Sequence, residues 1–213
     1  MVDRGAHVIR YDISPPLSPA TAVWPGSRPL RREVEKSLDR GDGYDLSNVI
    51  STVHIGAHAD APSHFGPDGE TIDAVDPDRY LGPCRVIQAG FDQRGLIGPE
   101  TLPPSLDVPR LLFRTDTFPD PDRFTEDFAS FTPELVDAAA DAGVTLMGID
   151  TPSVDPFDST EVPSHRRMLA RDVLGLEGLD LHAVPPGRYQ LVALPLRLVG
   201  FDASPVRAVL LDP

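Results

Sequence analysis

Three histidines and an aspartate lie within eleven residues, His54-Ile-Gly-Ala-His58-Ala-Asp60-Ala-Pro-Ser-His64. Imidazole nitrogen and carboxylate oxygen are the donor set of Zn²⁺ and similar first-row ions, so His54, His58 and Asp60 read as three ligands of one metal. A lone histidine is an ordinary polar residue; the concentration carries the chemistry. No regular element would bring these donors together. On a helix His54 and His58 share a face, but Asp60 points elsewhere, and Gly56 and Pro62 both oppose helix. On a straight strand all three share a face, yet ~3.3 Å per residue puts His54 and Asp60 roughly 20 Å apart, too far for one ion bonded at ~2 Å. The chain must therefore bend inside the motif, and Gly56 and the Ala61-Pro62 pair allow a strand to end and fold back. A metal site at a strand end is expected.

Other chemistry is sparse. There is no G-x-S-x-G elbow and no glycine-rich phosphate loop, which argues against serine-hydrolase, dinucleotide and nucleoside-triphosphate chemistry. Cys84 opens an apolar run and reads as a buried, inert thiol. On spacing alone His165 and Glu177 read as surface residues, and Trp24, the only tryptophan, as a ring packed on the core. His7 and His182 receive no role.

The elements that must position these residues are short. Val8–Ile13, Asn48–Ile55, Cys84–Ala89, Arg110–Arg114, Val144–Ile149, Tyr189–Leu194 and Val206–Leu211 are apolar or alternating runs bounded by Pro, Gly or Asp, and read as strands. One helix is capped by Thr132, carries Pro133 at its first position and stops at Gly143. A second opens at Pro163-Ser164, runs through His165–Leu174 and ends at Gly175, leaving Glu177 just past it. Strand-rich patterning with few helices predicts an α/β or α+β domain of unspecified strand order. The 24 prolines are scattered through the chain, which suits many short connections and no linker.

Composition narrows the partners. A length of 213 residues suits one domain over 1–213, and a net charge of −14 leaves no basic surface for nucleic acid or anionic membrane. A single cysteine needs no oxidising compartment, and neither a signal segment nor a membrane span is evident, so a soluble cytoplasmic protein is expected.

The motif His54-x-Gly56-x-His58-x-Asp60-x-Pro62-x-His64 resembles the signature of the cyclase-like metal-dependent hydrolases, and within them the kynurenine formamidase (arylformamidase) branch. Tyr11-Asp-Ile-Ser-Pro-Pro-Leu17, Val23-Trp-Pro-Gly26, Arg79-Tyr-Leu-Gly-Pro-Cys-Arg-Val86, Gly148-Ile-Asp-Thr-Pro-Ser153 and Asp202-Ala-Ser-Pro-Val-Arg207 extend the likeness over essentially the whole chain. The resemblance implies a swivelling β/β/α domain, assembled as a homodimer, with two divalent ions, zinc first and manganese as the alternative. It places His54, His58 and Asp60 on one ion and Asp60, His165 and Glu177 on the second. It makes His64 the proton donor and acceptor, and Trp24 a contact to an aromatic formamide, N-formyl-L-kynurenine. Ala57 departs from the family's usual threonine, and Arg166 and Arg171 stand where histidines are frequent. Two other readings accompany it: another hydrolase of the family, such as one that opens the lactam of isatin, and a metal-binding homologue without turnover.

Overall fold

The computed structural model describes residues 9–213. His7, and Val8 at the start of the first expected strand, lie outside them. Among the described residues thirteen strands are formed: β1 Ile9–Asp12, β2 Arg31–Lys36, β3 Leu46–Ile50, β4 His58–Asp60, β5 Leu81–Gln88, β6 Leu96–Ile97, β7 Arg110–Arg114, β8 Ser130–Phe131, β9 Leu146–Ile149, β10 Leu174–Glu177, β11 Gly187–Val192, β12 Ala203–Pro205 and β13 Val209–Leu211. Two α-helices accompany them, α1 Pro133–Asp141 and α2 Pro163–Ala170. Nine strands make one sheet in the order β1-β13-β11-β5-β7-β9-β10-β4-β12. Its centre, β5-β7-β9-β10, is parallel, and antiparallel strands flank it on both sides. This is the strand-rich β/β/α arrangement.

The sheet is buried on both faces, as the apolar runs require. Along β7, Leu111 and Phe113 enter one core with Leu135, Val136 and Ala139 of α1 and Met168 of α2, while Leu112 enters the opposite core with Tyr80, Cys84 and Leu191. The Thr132 hydroxyl caps α1 by accepting the Leu135 N–H at 3.1 Å. Cys84 is fully buried, and burial pushes its thiol pKa up to about 12, which suits an inert core residue. Among the described residues no helix is long and apolar enough to cross a membrane.

Two expected elements end earlier than the pattern suggested. α2 stops at Ala170, not Leu174, because Asp172 adopts left-handed backbone (φ 52°) and its carboxylate accepts a 2.6 Å bond from Arg79. The freed Leu174 then pairs with Leu146 as β10, so Glu177 sits at the end of a buried strand and not on a helix exit. The strand expected over Asn48–Ile55 ends at Ile50, and the chain from Ser51 to Ala57 is irregular up to β4. That irregular stretch contains the bend demanded by the histidine spacing, with Gly56 at φ +54°.

Candidate metal centre

Two strands, one helix and the bend before β4 deliver the donors. β4 lies between β10 and β12, so that Glu177 stands directly across from His58, and Gly175 and Ala203 flank Asp60. His58 and Asp60 are two residues apart on one strand and share a face, so they and Glu177 form a cross-strand cluster without any special loop. The bend before β4 folds His54 back to bring its Nδ1 within 3.0 Å of Asp60 Oδ1. His165 enters from the first turn of α2, its Nε2 at 3.0 Å from Glu177 Oε1 and 3.6 Å from Asp60 Oδ2. The five residues read from the sequence and its resemblance as metal ligands therefore meet at one place.

Each of the three imidazoles has an inner and an outer nitrogen. His58 Nδ1 donates to the Gly56 carbonyl at 2.9 Å, which leaves Nε2 as a lone pair 3.3 Å from Glu177 Oε2 and 3.6 Å from Asp60 Oδ1. His165 Nδ1 meets Asp155 Oδ2 at 2.7 Å, and His54 Nε2 meets Asp202 Oδ2 at 3.0 Å. The outer nitrogens thus donate to fixed acceptors, as metal-bound histidines do, and the inner ones converge on two carboxylates. His58 Nε2 and Asp60 Oδ1 are buried and have no hydrogen-bond partner. A lone pair facing a buried carboxylate is unfavourable unless a proton or a metal cation lies between them, and the donor set fits a divalent ion.

Without such an ion, protons fill its place. Burial works to lower the His54 pKa, but pairing with Asp60 and Asp202 outweighs it and raises it to about 9. His165 is driven up in the same way against burial by Asp155, Asp60 and Glu177. Asp60 falls well below the usual carboxylate range despite complete burial, because His165 and His54 hold its charge.

Asp60 divides its two oxygens: Oδ1 faces His54 and His58, and Oδ2 faces His165. Two donor trios can be drawn with all ligand atoms within 4.8 Å of one another, His58-Asp60-Glu177 and His54-Asp60-His64, and Asp60 belongs to both. His64, in the short 3₁₀ turn Pro62–His64, therefore stands beside the cluster. Its pKa is lowered, chiefly by burial.

Asp155 was not singled out from the sequence. It accepts the Ser164 and His165 N–H groups at 2.9 and 3.0 Å as well as His165 Nδ1, and so caps α2 from a distant loop while aiming its histidine. Phe65 stacks on the His165 ring at 3.8 Å. Asp155 and Phe65 carry no local pattern; only the tertiary fold reveals them. Ala57 is buried with its carbonyl accepting from Val206, while Arg166 and Arg171 turn outward to Glu161 and to Asp137. His182 is exposed and pairs with Asp180.

The cluster forms one wall of a cavity of about 530 Å³. Trp24 lines it together with Phe118 and Phe124, packed edge-on to Phe124 at 5.6 Å and tilted against Phe157 at 5.1 Å. It is thus a cavity-wall residue held by other aromatic rings, and not a ring filling the sheet core as spacing alone suggested.

Gly178 follows Glu177 at φ +63°, and a Cβ there would lie 2.2 Å from the Gly56 carbonyl oxygen, the acceptor that orients His58. Gly178→Ala is therefore expected to weaken divalent-metal binding by about 10–100-fold, the usual effect of disturbing a ligand's hydrogen-bond partner, and to lower the melting temperature. A chelator competition and a thermal melt check both; unchanged metal affinity would mean that the Gly56 carbonyl does not govern His58.

The β/β/α sheet with a histidine–carboxylate cluster at its edge defines a metal-site protein class. The sequence matches the family model described as "Putative cyclase" over residues 11–156, and the chain belongs to that Cyclase family. The fold is shared with a structure described as "predicted metal-dependent hydrolase from Bacillus stearothermophilus", at 28% identity and a TM-score of 0.80, covering 95% of this chain and 98% of the other. A "potential metal-dependent hydrolase with cyclase activity" is 28% identical with a TM-score of 0.78, covering 95% and 97%. Isatin hydrolase A from Labrenzia aggregata shares the fold at 23% identity and a TM-score of 0.76, covering 95% and 93%.

Proposed function

We propose that the protein is a metal-dependent amide hydrolase that cleaves aromatic formamides, with N-formyl-L-kynurenine as substrate. The observation that carries this reading is the inner and outer arrangement of His54, His58 and His165 around Asp60 and Glu177. Hydrolase descriptions of relatives at 28% identity support it. Two divalent ions, zinc or manganese, are part of the proposal, since Asp60 turns one oxygen to each half of the donor set. A divalent ion held there supplies Lewis acidity, polarising a carbonyl and acidifying water near neutral pH. Trp24 and Phe124 present aromatic walls that orient the anilide ring, worth about 0.5–1.5 kcal/mol beyond area burial. In the reaction the carbonyl carbon gains the oxygen of water, His64 Nε2 accepts a proton from that water, the C–N bond breaks, and His64 Nε2 hands the proton to the departing aryl nitrogen. The products are the aryl amine and formate. A cytoplasmic homodimer belongs to the same reading, and the exposed Val34, Leu38 and Val49 of the β2–β3 hairpin support the dimer, because a lone hairpin is marginal in water.

A second reading is favoured by charge. Among the described residues that line the cavity there is no Lys or Arg to meet the α-carboxylate of formylkynurenine. A neutral cyclic amide such as isatin would need none. The test is turnover of both substrates by purified protein, before and after chelation and zinc restoration. Release of free aryl amine that chelator abolishes and zinc restores is expected with formylkynurenine. Turnover of isatin alone would move the assignment to the second reading, and inert protein with full metal would overturn hydrolysis.

A further inference from the structure

We propose that Asp202 is a positioning residue that fixes the proton-bearing nitrogen of two histidines at once, His54 and His64. The assignment rests on the hydrolase reading above for its consequence, but its geometry stands independently. A single oxygen, Asp202 Oδ2, lies 3.0 Å from His54 Nε2 and 3.1 Å from His64 Nδ1. An ionised carboxylate only accepts hydrogen bonds, so each nitrogen facing it must carry the proton. With a divalent ion held between His54 and Asp60, His54 Nδ1 is then the nitrogen left to bind it, and His64 Nε2 is the nitrogen free to exchange protons.

The two outcomes are opposite in ring position, because the neighbouring rings, 4.2 Å apart and inclined by 33°, present different nitrogens to the same oxygen, Nε2 from His54 and Nδ1 from His64. Asp202 is itself anchored, since its carbonyl accepts the Ala61 N–H at 2.9 Å just before β12 pairs with β4. Among the described residues the His64 side chain has no other hydrogen-bond partner, and an unconstrained neutral imidazole prefers its proton on Nε2. Loss of Asp202 would therefore place a proton on the nitrogen that the reaction needs bare in one half of its cycle. The same oxygen that aims the general acid would thus also aim a metal ligand, so proton transfer and metal binding are coupled through one side chain.

The test uses Asp202→Asn and Asp202→Ala in zinc-loaded protein. Both are expected to fold, because the Asp202 side chain is 47% exposed and the backbone carries its pairing. Histidine ¹⁵N chemical shifts, with His64 assigned from a His64→Gln sample, report the tautomers without substrate. The wild type is expected to show His64 protonated on Nδ1, and the variants to shift it to Nε2. Zinc affinity and kcat should each fall by about 10–100-fold, with KM little changed. A wild-type His64 protonated on Nε2, or tautomers unchanged in both variants, would overturn the assignment. Because the shifts are read without substrate, a wild type that shows the tautomers but hydrolyses no amide would support the assignment and refute the hydrolase reading instead.

Discussion

Replacing His64 by Ala is expected to cut kcat on an aryl formamide by about 10²–10⁴-fold while bound metal stays at its wild-type level, the usual effect of losing a positioned acid or base. The reasoning is one of surplus. His54, His58, His165, Asp60 and Glu177 already bring five donors together, each of these histidines with its outer nitrogen satisfied and its inner one facing Asp60 or Glu177, whereas His64 meets Asp202 through Nδ1 and pairs with neither Asp60 nor Glu177. Geometry also permits the opposite assignment, because His64 joins His54 and Asp60 in a donor trio. Counting metal per chain by elemental analysis in the same preparation separates the two. Loss of activity with metal retained supports proton transfer; loss of both identifies His64 as a ligand; unchanged turnover removes it from the mechanism.

How much of this was legible in the sequence varies with distance along the chain. The bend within His54–Asp60 was readable because the argument is negative: neither helix nor strand satisfies the spacing, and Gly56 and Pro62 mark where the chain can turn. α1 was readable because its cap, its proline and its stop are all local. α2 was not, since its end is set by Asp172 and Arg79, 93 residues apart. The partnership of His165 and Glu177 depends on β10 pairing with β4 and β9 on either side, which no window of sequence contains; only the resemblance suggested it. Asp155 and Asp202 were invisible for the same reason. A carboxylate that orients a histidine from 138 residues away has the sequence signature of any surface aspartate.

The long-range placement of these carboxylates bears most heavily on Asp60. Asp60→Asn keeps the shape of the side chain and is expected to lower metal occupancy at both halves of the site, not at one. In the wild type Oδ1 serves the side of His54 and His58 and Oδ2 the side of His165, and the residue is 6% exposed. Asn offers one oxygen and one NH₂ group. Whichever way the amide turns, one half of the site loses its oxygen acceptor and meets N–H donors in its place, and the whole site loses a negative charge that three imidazoles and any bound cation depend on. Removing one partner of a buried charge cluster costs about 3–5 kcal/mol. At 1.4 kcal/mol per factor of ten, that is a loss of roughly 10²–10³-fold or more in metal affinity. Competitive chelation with elemental analysis measures it, and circular dichroism checks that the sheet survives, as it should with β4 still paired on both edges. Loss of one ion with the other bound at wild-type affinity would show that Asp60 serves a single metal, and the division of its oxygens would then reflect hydrogen bonding to protonated histidines and not a bridge.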